Sequence, residues 1–222
     1  MLAQRVFTLL RKRSPVNIYL IFHFLSGKFI WALNINSRFH QEPALSGSIL
    51  LSHPTLKDPN FFKSIVFLSA HSTEKGTLGV ILNRPLCKSL AQLDKQFSKL
   101  SIGDAPVYEG GPVDKDKIIL AAWEWSDTAH SFKLYFGIDT DKAQVLKSQK
   151  PEIEIACFLG HSGWSPGQLE NELDSDSWLV SSFNHDLFEE IKLEQDTWKS
   201  LVSNFGDELR LLADAPQNPS VN

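Results

Sequence analysis

Between residues 47 and 158 the chain is a succession of short β-branched and aromatic runs broken by glycine, proline and charged turns, and few of the gaps can hold a crossover helix. Parallel strands need connections of a dozen or more residues, usually helical, whereas antiparallel strands close with a short turn. The pattern therefore predicts a single α+β domain with a mainly antiparallel sheet flanked by helices. Strands are expected at 47–52, 64–69, 77–82, 107–108, 117–122, 132–136 and 153–158 from their Val, Ile, Leu and aromatic content. The second and third of these flank the turn Glu74-Lys75-Gly76 and are expected to pair as a hairpin. Leu90, Leu93, Phe97 and Leu100 recur at spacings of three and four behind Ser89, which predicts a capped amphipathic helix over 89–100. Further helices are read at 140–147, at 165–173 with Ser165-Pro166 as N-cap and first residue, and at 194–205.

The core of such a domain can be built without covalent staples. Six Trp and 15 Phe supply large apolar bodies, each contributing roughly 1.5–3 kcal/mol when fully buried. Cys87 and Cys157 stand apart, with neither a CxxC nor a His/Cys spacing, and read as two reduced thiols rather than a disulfide or zinc site. His53, Asp58, His71 and Glu109 fall at strand ends or loops without a metal-ligand spacing, so no metal and no cofactor is expected.

Charge divides the chain. Residues 1–41 hold Arg5, Arg11, Lys12, Arg13, Lys28 and Arg38 and no acidic group, leaving 16 basic against 26 acidic groups in 42–222. An acidic body repels phosphate backbones at long range, which argues against nucleic acid as a partner. The segment 18–25 is apolar behind a basic flank, in the order of a signal peptide, but His23 and Lys28 interrupt it and Ala32-Leu33-Asn34 is a poor cleavage site. A spanning helix would have to carry Lys28 across the bilayer, so no membrane span is expected. The division read from the sequence is an extension over 1–41 outside the fold, a domain over 42–212 and a polar tail over 213–222, in a cytoplasmic protein.

The densest motif is Phe158-Leu159-Gly160-His161-Ser162-Gly163-Trp164-Ser165-Pro166-Gly167-Gln168-Leu169-Glu170. A serine between glycines after a strand suggests a nucleophile elbow, but an elbow reads G-x-S-x-G, and here Ser162 is followed at once by Gly163 and bulky Trp164. The stretch reads instead as a strand-to-helix corner in which Gly160 and Gly163 permit the turn and Trp164 anchors the core. His161 reads as a hydrogen-bonded structural side chain ahead of a general base. Glu109-Gly110-Gly111-Pro112 admits two readings, a turn requiring positive φ or a nest of amides for an anion without the lysine of a P-loop. Asn83-Arg84-Pro85 ends a strand with a guanidinium, which can hold a carboxylate or phosphate bidentately or serve an internal ion pair. Trp123-Glu124-Trp125 reads as part of an amphipathic strand, or as a partner surface if the indoles are exposed.

Four blocks in order carry a resemblance: Gly47-Ser48-Ile49-Leu50-Leu51-Ser52-His53-Pro54 with Asp58-Pro59-Asn60-Phe61, then Gly79-Val80-Ile81-Leu82-Asn83-Arg84-Pro85, then Gly110-Gly111-Pro112-Val113, then Gly163-Trp164-Ser165-Pro166-Gly167-Gln168-Leu169-Glu170. Over about residues 43–212 the chain resembles the AlgH/YqgE family, UPF0301 or DUF179. The resemblance implies a bulged, mainly antiparallel sheet flanked by helices, a cytosolic bacterial setting or occasionally a plastid one, and no established enzyme activity. Where the family commonly has an aromatic residue and alanine before Gly-Trp, this chain has His161 and Ser162, which weakens a catalytic role for that serine. The expected function is a non-catalytic regulatory or interaction module, with Asn83, Arg84, Glu109, Gly110, Gly111, His161 and Trp164 as the ligand-binding candidates for a small anion or a protein partner. The alternative is a hydrolase acting on a small anionic or nucleotide-like substrate held by Arg84 and the glycine-loop amides.

Overall fold

The computed structural model describes residues 21–25, 28–35, 45–126, 131–183, 187, 191 and 196–215. Eleven strands form one continuous hydrogen-bonded system: β1 (Ile21–Leu25), β2 (Lys28–Ile35), β3 (Ser48–Ser52), β4 (Ile65–Ser72), β5 (Gly76–Ile81), β6 (Pro85–Ser89), β7 (Pro106–Glu109), β8 (Val113–Ser126), β9 (Ser131–Ile138), β10 (Glu154–Trp164) and β11 (Trp178–Ser182). Along the main path the order is β1-β2-β9-β8-β10-β5-β4-β3-β11, with β7 joined to β10 and β6 to β7. Every pairing is antiparallel except that of β7 with β10. The expected α+β class with a mainly antiparallel, bulged sheet is therefore the observed one.

β10 is the spine. Its first half lies beside β8, with Ile155 opposite Ala122 and Cys157 opposite Leu120, and its last three residues cross over to β5, with Ser162 opposite Gly79 and Trp164 opposite Thr77. A bulge between Leu159 and His161, at Gly160 with φ +68°, bends the strand from one half of the sheet to the other. Bulges of this kind bend a strand and re-aim the side chains beyond the extra residue. The predicted strand 153–158 and the predicted corner at Gly160–Gly163 are thus both revised: the strand runs through the glycines to Trp164, and the chain turns only at residues 165–167.

The bend lays the two halves of the sheet face to face. Ile49, Leu51, Ile65, Phe67, Val80 and Leu82 from one half meet Trp123, Phe132, Leu134 and Phe158 from the other, closed at one end by Phe183, Trp198 and Val202. The outer faces are covered as well. α2 (Thr140–Gln149) seats Ala143 and Leu146 over Leu120, Ile138, Ile155 and Cys157. α3 (Gln168–Asp174) seats Leu169 over Leu50, Val66, Leu68 and Ile81. Strands covered on both faces read as continuous apolar runs rather than alternating ones, which is why Ile49-Leu50-Leu51 and Ile65-Val66-Phe67-Leu68 are buried throughout.

The helix predicted over 140–147 runs on to Gln149, whereas those predicted over 89–100 and 165–173 are shorter than expected. α1 (Leu90–Leu93) begins at Ser89, the expected cap, which forms a capping box with Gln92, but ends at Asp94, whose carboxylate takes the Gln96 amide and starts a separate 3-10 turn over Lys95–Lys99. α3 starts at Gln168 behind Gly167 at φ +75°, two residues later than predicted, because Ser165 and Pro166 are used in the turn. α4 (Thr197–Ser203) and α5 (Asp207–Asp214) close the described chain; residues 194 and 195 of the predicted 194–205 helix lie outside the described residues. Residues 1–20 of the amino-terminal extension and 216–222 of the tail do so too, whereas the backbone of β2 pairs with β9, Trp31 opposite Phe136. Among the described residues no helix is long and apolar enough to cross a membrane.

Candidate functional site

The seven residues singled out in the sequence fall into three neighbouring arrangements strung along β10. The first is the corner after β5. Asn83 accepts the Ile65 amide on Oδ1 at 2.9 Å and donates from Nδ2 to the Lys63 carbonyl at 2.8 Å, tying down a loop in which Lys63 is held at φ +50°. Arg84 donates through Nη2 to the Phe62 carbonyl at 3.3 Å, and its Nη1 stands 3.9 Å from Glu109 Oε2. That second separation is too long for a hydrogen bond, and the pair lies partly in solvent, so it holds the two groups together only loosely. Lys63, next to the carbonyl that Arg84 grips, carries its ammonium 5.5 Å from the ring centroids of both Phe62 and Trp198. The indole N–H of Trp198 donates in turn to the Ser52 carbonyl.

The second arrangement is a backbone crossing. Gly110 donates its amide to the Leu159 carbonyl at 2.7 Å, and its carbonyl accepts the Ile81 amide at 2.9 Å and the Ser162 hydroxyl at 3.3 Å. A β-carbon on Gly111, at φ +151°, would stand 2.3 Å from the His161 carbonyl carbon; one on Gly160 would stand 2.7 Å from the Gly111 carbonyl oxygen and 2.8 Å from that of Val113. Of the two readings of Gly-Gly-Pro, the geometry has the character of the turn: the glycines allow two strands to cross at backbone contact, and the Gly110 amide is committed inside the fold. Ser162 is fully buried and its hydroxyl is engaged, so it presents no nucleophile. The His161 ring, opposite Val113 in the ladder, has neither a hydrogen-bond nor an ion-pair partner among the described residues, in contrast to the hydrogen-bonded side chain expected there.

The third arrangement surrounds Trp164. Its ring lies 5.9 Å from Phe61 and 5.8 Å from Trp178, with Phe61 and Trp178 5.4 Å apart, so three aromatics fill one corner. Both indole N–H groups donate to one atom, Glu172 Oε2, at 2.8 Å from Trp164 and 2.7 Å from Trp178. Gln168 donates to Glu172 Oε1 at 2.9 Å and accepts the Ser165 amide at 3.0 Å, locking the helix start to the turn before it. The sequence reading missed Glu172; the signal was its placement four residues after Gln168, on a helix flanked by Trp164 and Trp178.

The remaining titratable groups lie elsewhere. His53 Nδ1 pairs with Thr55, Asp58 accepts the Asn60 amide and His71 faces Thr77 and Glu170, so these do not gather with Glu109. Among the described residues no group of three or more His, Cys, Asp or Glu is arranged to hold a metal. Burial pushes the Cys157 thiol up to about 12, which removes its reactivity, while Cys87 is exposed. Glu124, within the Trp123-Glu124-Trp125 run of β8, sits between Lys150 and Lys133; burial works to raise its carboxyl, but the two ammonium groups outweigh it and hold it below the ordinary value.

Fold and contacts together define an α+β sheet protein whose motif glycines and tryptophan are points of strand crossing and helix docking, with the Asn83-Arg84 corner as its partly solvated polar site. The chain belongs to the AlgH-like family, DUF179, whose model matches residues 49–210. A UPF0301 protein of Bacteroides fragilis is 32% identical over 188 residues, covering 79% of this chain and 90% of the relative. One from Chlorobium phaeobacteroides is 31% identical, covering 82% and 97%. The solution structure of the AlgH protein from Pseudomonas aeruginosa superposes with a TM-score of 0.56 at 23% identity, over 82% of this chain and all of that one. At that identity it is the fold that is shared.

Proposed function

We propose that this domain is a non-catalytic regulatory or interaction module of the cytoplasm, with a small-anion site centred on Arg84. The observation that carries the reading is the state of the guanidinium. Of the five N–H donors an arginine offers, one reaches the Phe62 carbonyl at 3.3 Å, and the Glu109 carboxylate at 3.9 Å is outside hydrogen-bond range. A carboxylate or phosphate oxygen arriving at this corner would find donors ready in a fork that matches it, on a loop braced by the two hydrogen bonds of Asn83. Glu109 then acts as a gate, its charge discouraging weak anions. Against the hydrolase alternative stand the burial of Ser162, the commitment of its hydroxyl to Gly110, and a His161 ring without an orienting partner among the described residues.

The test is calorimetric titration of the full chain with inorganic phosphate, citrate and a nucleoside monophosphate. Binding of at least one of them that Arg84→Gln removes, and that Glu109→Gln strengthens, supports the site. Binding indifferent to both substitutions, or none by any of the three anions, sinks it.

A further inference from the structure

At the other end of β5 from Arg84, the turn end of the β4–β5 hairpin touches α3 through one unsatisfied contact. His71 and Thr77 face each other across the hairpin ladder, and His71 Nδ1 lies 2.8 Å from the Thr77 hydroxyl. The other ring nitrogen, Nε2, points at Glu170 Oε1 from 3.7 Å. That carboxylate oxygen is shielded from solvent and accepts no hydrogen bond among the described residues. A buried acceptor of full or partial charge left without a donor is costly, and a donor delivered to it is correspondingly favourable. Thr77 and the Ser46 hydroxyl, which accepts the His71 backbone amide, are the other polar groups against this residue; Glu74 and Lys75 in the hairpin's own turn are exposed, and neither forms an ion pair with it. Glu170 is therefore the charged group that the imidazole faces from a neighbouring element.

We propose that His71 and Glu170 form a proton-operated latch between the β4–β5 hairpin and α3. A neutral imidazole can accept the Thr77 hydroxyl at Nδ1 and turn its single N–H toward Glu170, but it brings no charge; the imidazolium donates from both nitrogens and sets a positive charge against the carboxylate. Taking up a proton at His71 converts the 3.7 Å gap into a charge-assisted hydrogen bond to Oε1 and draws the start of α3 onto the hairpin. The latch governs a lid. α3 also carries Glu172, the acceptor for both Trp164 and Trp178, and the hairpin end lies so close to the corner that a β-carbon on Gly76 would stand 2.2 Å from the Trp164 carbonyl oxygen. Closing the latch tightens this cover over the Phe61, Trp164 and Trp178 cluster; opening it loosens the cover while the sheet stays intact.

Hydrogen exchange of the full chain at pH 5.5 and 7.5, in EDTA and corrected for intrinsic rates, reads the latch directly. The expected result is protection of the amides in 168–174 roughly fivefold higher at the lower pH, as suits one partly buried ion pair, with this difference lost in both His71→Gln and Glu170→Gln. Histidine NMR gives a second readout: the His71 titration shifts to lower pH in Glu170→Gln, while those of His53 and His161 do not move. A pH difference that persists in either variant, one that exists only without EDTA, or a His71 titration unaltered by Glu170→Gln overturns the proposal.

Discussion

A β-carbon placed at Gly160 separates two explanations of the densest motif. If the glycines at residues 110, 111 and 160 serve a crossing of backbones, the cost of an alanine has two parts that can be measured apart. The first is conformational: at φ +68° a non-glycine residue in the left-handed region loses roughly 1 kcal/mol. The second is steric, since the new carbon would stand 2.7 and 2.8 Å from two carbonyl oxygens that belong to the facing strand and cannot rotate away. Overpacking against rigid neighbours costs about 1–3 kcal/mol more. Gly137 and Gly167, at φ +69° and +75° with nothing within 4 Å of an added β-carbon, supply the conformational part alone. Urea unfolding should therefore place Gly137→Ala and Gly167→Ala about 1 kcal/mol below wild type and Gly160→Ala about 2–4 kcal/mol below it. In thermal unfolding of a chain this size that is about 2–4 °C against 4–16 °C. Gly111→Ala, at φ +151° and 2.3 Å from the His161 carbonyl, should be worse than Gly160→Ala. Equal losses at residues 160, 137 and 167 would refute the crossing argument, because they would leave the backbone contact without a measurable energy.

Three further outcomes rest on particular contacts. Glu172→Ala leaves the indole N–H groups of Trp164 and Trp178 without their acceptor and should cost about 2–6 kcal/mol in urea unfolding, at roughly 1–3 for each of the two orphaned polar groups; a loss below about 0.5 kcal/mol would mean that water replaces the carboxylate. Glu124 is ionised more readily in the folded protein than in the unfolded chain, so its contribution is present above the ordinary glutamate value and is lost as pH falls through the lower folded one; Glu124→Gln should be destabilising by about 1 kcal/mol at pH 7, given the part-exposed lysines, and the gap should close toward pH 3. Removing residues 1–41 should preserve a single cooperative unfolding transition, since the described members of all three core clusters lie from Leu45 onward and the described backbone of the extension pairs β2 with β9 toward the sheet's edge; a molten product by near-ultraviolet circular dichroism would contradict that division.

How far the sequence carried the fold depended on whether the signal was local. The hairpin of β4 and β5 was legible because both runs and their turn are contiguous, and its register, Phe67 opposite Val80, comes from them. The cap at Ser89 was legible for the same reason, though its reciprocal partner Gln92 was not read. Helix length was not: Asp94 uses its carboxylate to begin a second turn, a side-chain competition that apolar periodicity does not register. Nor was the course of β10, because Gly160-His161-Ser162-Gly163 contains two turn-forming residues and reads as an end when it is a bulge. The glycines there answer to Gly110 and Gly111, some fifty residues away, and such spacing is invisible until the strands meet. The candidate site was legible in its parts, with Asn83, Arg84 and Glu109 meeting as one corner, but Gly110, Gly111 and Trp164 serve contacts inside the fold.

The two glutamates of α3 show how one short helix can be both a fixed support and a movable one. Residues two apart on a helix point about 200° away from each other, so Glu170 faces the hairpin while Glu172 faces the aromatic cluster. Glu172 is held by two indole N–H groups and by the Gln168 amide, donors that do not titrate. Glu170 is opposed by an imidazole, whose donor count changes with one proton. The helix is thus pinned on one side by donors that do not titrate and on the other faces an imidazole that gains a second donor and a charge with one proton.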